Sequence, residues 1–180
     1  MKIVTIGRGN IGGGLARLWR EAGHEVEEIG RDGGDASEAD VVLVAVPGAQ
    51  ISAALATVTG LEGKLAIDAT NALPSRHGDF PSYAEEVKSF TKGPVAKSFN
   101  MNFASLMDKV REQRVRPSNW YVSDEEAREI TEQLNRDAGY EPVRLGDLSR
   151  ARALEDAAWI LLSVNPVGRT FYRFAEPGDL

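Results

Sequence analysis

Three observations predict an α/β fold with a doubly wound, mainly parallel sheet. The chain opens on an apolar run, Lys2 to Ile6, that passes through Gly7-Arg8-Gly9-Asn10-Ile11-Gly12 into Leu15, Leu18, Trp19 and Ala22 at helical spacing. A second run, Val41 to Val46, is continuous and β-rich, as a parallel strand covered on both faces requires. Strand-like and helix-like segments then follow one another along the chain, the order that lays helices on both faces of one sheet. Together these place residues 1–180 in one Rossmann-type domain, with no room for a second domain of comparable size.

The first strand, turn and helix carry the functional signal. Gly7 lets the backbone leave the strand tightly, Gly9 lets a pyrophosphate approach the main chain without meeting a Cβ, and Gly12 lets the helix pack close to the sheet. Phosphates would then rest on unpaired N–H groups at the positive end of the helix dipole, among Arg8, Asn10 and Ile11. Glycines in this pattern also mark ordinary turns. Here the strand before and the amphipathic helix after, ending at Gly23, supply the context that a dinucleotide site needs.

The segment His24 to Ile29 alternates weakly and predicts the second strand. Its end, Gly30-Arg31-Asp32, selects the cofactor. An acidic residue there accepts hydrogen bonds from the adenosine ribose of NAD, whereas a small residue followed by arginine makes room for a 2′-phosphate and pairs with it. Gly30 and Arg31 favour NADP(H), with Arg8 as a second positive charge; Glu28 and Asp32 must then point away. Only a short polar segment separates Arg31 from Val41, so the strand 2 to strand 4 connection is shortened and the sheet edge beyond strand two is missing or vestigial.

Ala45, Val46 and Pro47, at the carboxyl end of the Val41 strand, are expected to line the cofactor crevice. Ile51 to Val58 reads as helix and Lys64 to Ile67 as strand. Asp68-Ala-Thr-Asn71 closes that strand where a nicotinamide and its ribose would lie, which makes Thr70 and Asn71 site candidates; the same residues equally suit a turn. Leu73 to Phe80 is a loop bearing Arg76 and His77 over the crevice, and Ser82-x-x-Glu85 is a capping box for a helix with Tyr83, Val87 and Phe90 on one face. Pro94 to Phe99 forms a strand with Asn100 at its carboxyl end.

Phe103, Leu106, Met107 and Val110 recur at helical spacing and suggest core packing. Asn119 to Val122 is a short strand; Ser123-x-x-Glu126 is a second capping box, for a helix that Gly139 ends. Pro142 to Leu145 can form a last strand. Ser149 to Val164 reads as a long helix stopped by Asn165-Pro166. Its end, Trp159-Ile-Leu-Leu162, is apolar beyond a single face, which predicts burial against the sheet or another subunit and allows a homodimer.

A net charge of −6 argues against nucleic acid or an anionic membrane as partner. The absence of cysteine excludes disulfides and thiolate metal sites, and the two histidines, His24 and His77, have no metal-ligand spacing. The N-terminus has no signal-like segment and the longest apolar run, Ala157 to Val164, is far too short to cross a bilayer. A cytoplasmic protein is expected.

With the glycine turn, Gly30-Arg31, Val44-Ala-Val-Pro47, Asp68-Ala-Thr-Asn71, Lys97-Ser-Phe-Asn100, Gly139-Tyr-Glu-Pro-Val and Ala151-Arg-Ala-Leu-Glu155 in this order, the chain resembles the coenzyme F-420-dependent NADP oxidoreductase family. That family also includes the soluble reductase domains of some membrane metalloreductases. The resemblance implies NADP along the glycine turn and a Ser-Arg pair after strand two for the 2′-phosphate. Here that serine is Gly30, the basic residue after the arginine is Asp32, the usual threonine of the turn is Arg8, and Met101 stands where threonine is common. The implied chemistry is hydride transfer between the nicotinamide and carbon 5 of the deazaflavin coenzyme F-420, or the equivalent position of a flavin. Two stacked cofactors need placement and exclusion of water more than acid–base groups, so no catalytic residue is assigned. A carbonyl or imine reductase would need a proton donor, for which His77, Tyr83 or Asp68 could serve; Tyr83 and Lys88 do not have Tyr-x-x-x-Lys spacing. The other reading is a nucleotide-binding sensor or interaction module without turnover.

Overall fold

The structure, a computed structural model, describes residues 1–72, 75, 77–163 and 169–178. Strand β1 (Lys2–Ile6) runs into α1 (Asn10–Glu21) and back to β2 (Glu25–Ile29). The shortened connection holds only a two-residue strand, β3 (Gly34–Asp35), before β4 (Val41–Val44). A 3-10 turn leads to α2 (Ile51–Leu55), β5 (Val58–Thr59) and β6 (Leu65–Asp68). Next come α3 (Tyr83–Thr91), β7 (Val95–Lys97), a 3-10 helix at Ala104–Glu112 and β8 (Ser118–Ser123). The chain closes with α4 (Arg128–Asp137), β9 (Glu141–Arg144) and α5 (Ala151–Ser163).

Seven strands form one sheet in the order β2-β1-β4-β6-β7-β8-β9, and β3 and β5 pair as a separate two-stranded ribbon. Every pair in the large sheet is parallel except β7 with β8. The sheet is therefore doubly wound and mainly parallel, as expected, with β2 outermost at one edge.

Period-two alternation sends neighbouring strand residues to opposite cores. Ile3, Val41 and Leu43 face Leu15, Leu18 and Trp19 of α1 and Leu134 of α4. Val4, Val42 and Val44 face Ile51 and Leu55 of α2, Val87 of α3 and Leu154 of α5. Each such side chain contributes roughly 1.5–3 kcal/mol by leaving water. Trp19 is buried whole, because its indole N–H donates to the Leu134 carbonyl at 2.9 Å and so meets its polar need inside the core.

Two glycines set how closely α1 meets the sheet. Gly7 has φ +108°, and a Cβ there would strike the Ala45 carbonyl; a Cβ on Gly12 would strike the carbonyl oxygen of Gly7. Helix, turn and β4 thus touch backbone to backbone.

Several local elements depart in detail from expectation. The Phe103–Val110 stripe is a 3-10 helix, since Met107 and Val110, three apart, suffice to fill the space under α1. Ser123 ends β8 opposite Ala96 and caps nothing; Asp124 starts the following turn, and its carboxylate accepts from the Val95 N–H and from Lys88 instead. The first capping box does form, with the Ser82 hydroxyl accepting from the Glu85 N–H at 3.1 Å. The helix expected to reach Val58 stops at Leu55, because Val58 and Thr59 pair with β3. The last helix proper starts at Ala151, after a 3-10 turn at Leu148–Arg150. Ile160 is 72% and Trp159 43% exposed, so the sheet does not bury the end of α5; the Asn165-Pro166 stop and the Leu162 side chain lie outside the described residues.

Gly12→Ala should lower stability by about 1–3 kcal/mol, the cost of forcing a methyl into a closed contact, measured by urea denaturation; an unchanged midpoint would show that α1 can retreat freely.

Candidate functional site

After β1 the chain moves to one side of the sheet to make β2, then crosses to the other to make β4. Connections diverge at the carboxyl ends of β1 and β4, which is where a doubly wound sheet opens a crevice. A cleft of about 680 Å³ lies there, floored by Gly7 and Gly9 and walled by Ala45, Val46 and Pro47. A smaller recess of about 280 Å³ shares Gly9 and Ala45 to Pro47 and continues past Asn10 and Ile11 to Ala69, Thr70 and Asn71. Of the fourteen residues singled out in the sequence, twelve line this continuous space: Gly7, Arg8, Gly9, Asn10, Ile11, Gly30, Arg31, Ala45, Val46, Pro47, Thr70 and Asn71. Gly12 sits beneath it in the contact described above, and Asn100 stands behind Asn71.

The floor of the cleft is suited to an anion. Gly9 is the N-cap of α1, no side chain caps the helix, and its first turn holds no acidic residue. The first-turn amides therefore have no internal acceptor. A Cβ on Gly9 would meet nothing within 4 Å, so the space above those amides is open. A pyrophosphate fits there by charge and by room.

At one end, Arg8, Arg31 and Asp32 line the cleft opposite Gln50, Ala53, Ala54 and Thr57. The last four were missed, although their spacing of three, one and three residues is a helical stripe of small and polar side chains. Glu28 does not enter: Arg20 holds its carboxylate at 2.7 Å, away from the cleft. Arg8 and Arg31 have no ion-pair partner among the described residues.

The other end rests on buried polar groups. Asp68, expected beside the nicotinamide, turns inward. The Lys97 ammonium lies 2.7 Å from the Asp68 carboxylate, 2.6 Å from the Thr70 carbonyl and 3.4 Å from Glu155 of α5, and all three charged side chains are fully buried. Asp68 also accepts from the Thr70 N–H at 2.8 Å. Burial pushes the Asp68 carboxyl above the ordinary aspartate range, against the pull of Lys97. The group thus ties β6, β7 and α5 together and fixes the backbone of Thr70.

Asn71 is fixed from the same side. Its amide donates to the Asn100 carbonyl at 2.8 Å, and the Asn100 amide donates back to Asn71 at 3.1 Å and to the Leu154 carbonyl at 3.2 Å. Asn100 reaches this position because Phe99 adopts φ +63°, a left-handed conformation that costs a non-glycine residue roughly 1–2 kcal/mol. The buried Phe99 ring, edge-on to Trp19 at 5.8 Å and Tyr140 at 6.2 Å, holds it there.

None of the three proton-donor candidates lines the cleft. Asp68 is engaged as above, the Tyr83 hydroxyl is buried and accepts from the His77 N–H at 3.0 Å, and the His77 side chain is exposed. Arg76 lies outside the described residues. Among the described residues no group of His, Asp and Glu could hold a metal ion, and no helix is long and apolar enough to cross a membrane.

Neither a protein-family model nor a curated protein sequence matches the chain. Solved structures do. An Arthrobacter sp. FB24 protein, provisionally assigned as an F420-dependent NADP reductase, is 26% identical with a TM-score of 0.81, over 98% of this chain and 100% of that one. A hypothetical protein from Sinorhizobium meliloti is 21% identical with a TM-score of 0.64, over 96% and 92%. A reductive aminase from Aspergillus terreus, solved with NADPH and ethyl levulinate, is 16% identical with a TM-score of 0.64; 92% of this chain matches 62% of that one. The chain shares with these structures a Rossmann-like, mainly parallel α/β fold. The aminase carries additional chain that this protein's match does not span.

Lys97→Met should destabilise the protein by about 3–5 kcal/mol, since it removes the ammonium between two buried carboxylates; a urea midpoint close to wild type would contradict the network. Because its pKa is raised, Asp68 keeps its proton in the folded chain to a higher pH than in the unfolded chain. Its contribution to stability therefore falls as pH rises above about 4. Asp68→Asn should flatten that fall in denaturation midpoints measured across acidic pH, and an identical pH profile would count against it.

Proposed function

We propose that this protein is an NADP(H)-dependent oxidoreductase of the cytoplasm that passes hydride between the nicotinamide and a deazaflavin or flavin-like acceptor. One observation carries the reading: an uncapped helix N-terminus opens onto a cleft at the switch point of the sheet, with two arginines at its adenosine end that have no ion-pair partner among the described residues. The Arthrobacter likeness over the whole chain supports a reductase that uses NADP and the deazaflavin F420. The bound nicotinamide would supply the hydride. The chain's residues would bind and orient: first-turn amides of α1 for the pyrophosphate, Arg31 for the 2′-phosphate, Ala45 to Pro47 along one face, Thr70 and Asn71 at the nicotinamide end. Among the described residues, none that lines that end is titratable, which favours transfer between two cofactors over carbonyl or imine reduction, where a positioned proton donor is required. The same observation leaves a nucleotide-binding module without turnover as the second reading.

The deciding experiment titrates NADPH and NADH and then follows NADPH oxidation with the deazaflavin or a flavin as acceptor. NADPH binding with acceptor-dependent oxidation is expected; binding without oxidation by any of these acceptors would overturn hydride transfer and leave the second reading. Arg31→Ala should weaken NADPH by about ten- to hundred-fold, the value of a charge-assisted contact, and leave NADH nearly unchanged; equal losses for both would remove Arg31 from the 2′-phosphate.

A further inference from the structure

We propose that Arg8 is a second specificity-determining ligand for the adenosine 2′-phosphate, and that position 30 is glycine in order to seat the Arg8 guanidinium. The inference rests on the NADP(H) reading and deepens it. The sequence suggested that Gly30 leaves room for the phosphate itself. The structure fills that room differently: a Cβ at Gly30 would collide with Arg8, whose Cζ lies 2.7 Å and Nε 2.8 Å from where it would stand. Backbone conformation does not require glycine here, because Gly30 is absent from the glycines with positive φ. A side chain at position 30 would displace the guanidinium from the space it occupies.

Charge explains why a second cation is needed. Arg31 is followed by Asp32, and both line the same wall of the cleft. That pair alone presents no net charge to a dianionic phosphate. Arg8 makes the wall positive, and no carboxylate among the described residues pairs with it. Resting over Gly30, which is next in sequence to Arg31, the planar guanidinium of Arg8 lies at the end of β2. Coulombic attraction from Arg31 and the seated fork of Arg8 would then act on one phosphate.

Adenosine 2′,5′-bisphosphate and 5′-AMP isolate this subsite. Each is titrated against wild type, Arg8→Gln, Gly30→Ala and the double variant, with thermal unfolding confirming that all four fold. Wild type should prefer the 2′-phosphorylated nucleotide, and Arg8→Gln should cut that preference by about tenfold or more. Gly30→Ala changes no charge, yet should cut it comparably because its methyl takes the guanidinium's seat. The double variant should lose no more than either single one. Full preference retained in Gly30→Ala, or losses that add in the double variant, would overturn the pairing while leaving NADP(H) binding intact. A wild type that binds neither nucleotide, nor NADPH, would instead overturn the cofactor reading on which the pairing rests.

Discussion

The contact on which the cleft depends is between main chains. Because neither Gly7 nor Gly12 carries a Cβ, the first turn of α1 lies against the end of β1, and the end of β1 against Ala45 after β4. Everything at the cleft follows from that approach. It brings uncapped helix amides to the floor of the crevice, and it sets the height at which Ala45 to Pro47 form the wall. It also places Leu15, Leu18 and Trp19 deep enough to be buried whole, so that packing energy holds in place a helix whose first turn contains glycines with poor helical propensity.

Much of this was legible in the residue order, where chemistry is local. The β1 strand, the glycine turn, α1, β4 and the Ser82 cap are each specified by residues within a few positions of one another, and each forms. What escaped depends on distant partners. Asp68 sits in a segment that reads as an exposed polar turn, and only Lys97, 29 positions on, draws it inward, to an ammonium that Glu155 of α5 also contacts. Ser123 has the spacing of a helix cap but is claimed by pairing with β7. The Phe103 stripe shows why period is an incomplete guide: residues three apart share a face in both α and 3-10 helices. Gln50, Ala53, Ala54 and Thr57 were readable in principle, since their spacing is helical, but small and polar side chains do not announce a cavity wall.

The two ends of the cleft are built on different physics. Arg8 and Arg31 are exposed, so their attraction for an anion is screened by salt and adjustable by single charges. Thr70 and Asn71 are held by a buried ammonium and paired amides whose alternatives cost several kcal/mol. One end can change its preference without disturbing the fold. The other cannot shift without loosening β6, β7 and α5 together. Phe99 belongs to the rigid end: its left-handed backbone is tolerated because its ring is wedged between Trp19 and Tyr140, which connects the packing of α1 to the placement of Asn71.

Trimming the chain after β2 has a consequence at the opposite margin of the sheet. It leaves β2 outermost, with backbone groups that no neighbouring strand of the large sheet satisfies. Such an edge is a template on which a second chain can add. The strand reads Glu-Val-Glu-Glu-Ile, with Glu25 and Glu27 exposed. Two copies meeting along this edge would set carboxylates against carboxylates, a repulsion that opposes cross-strand pairing. The acidic edge thus opposes the pairing that further strands would otherwise prevent by covering it.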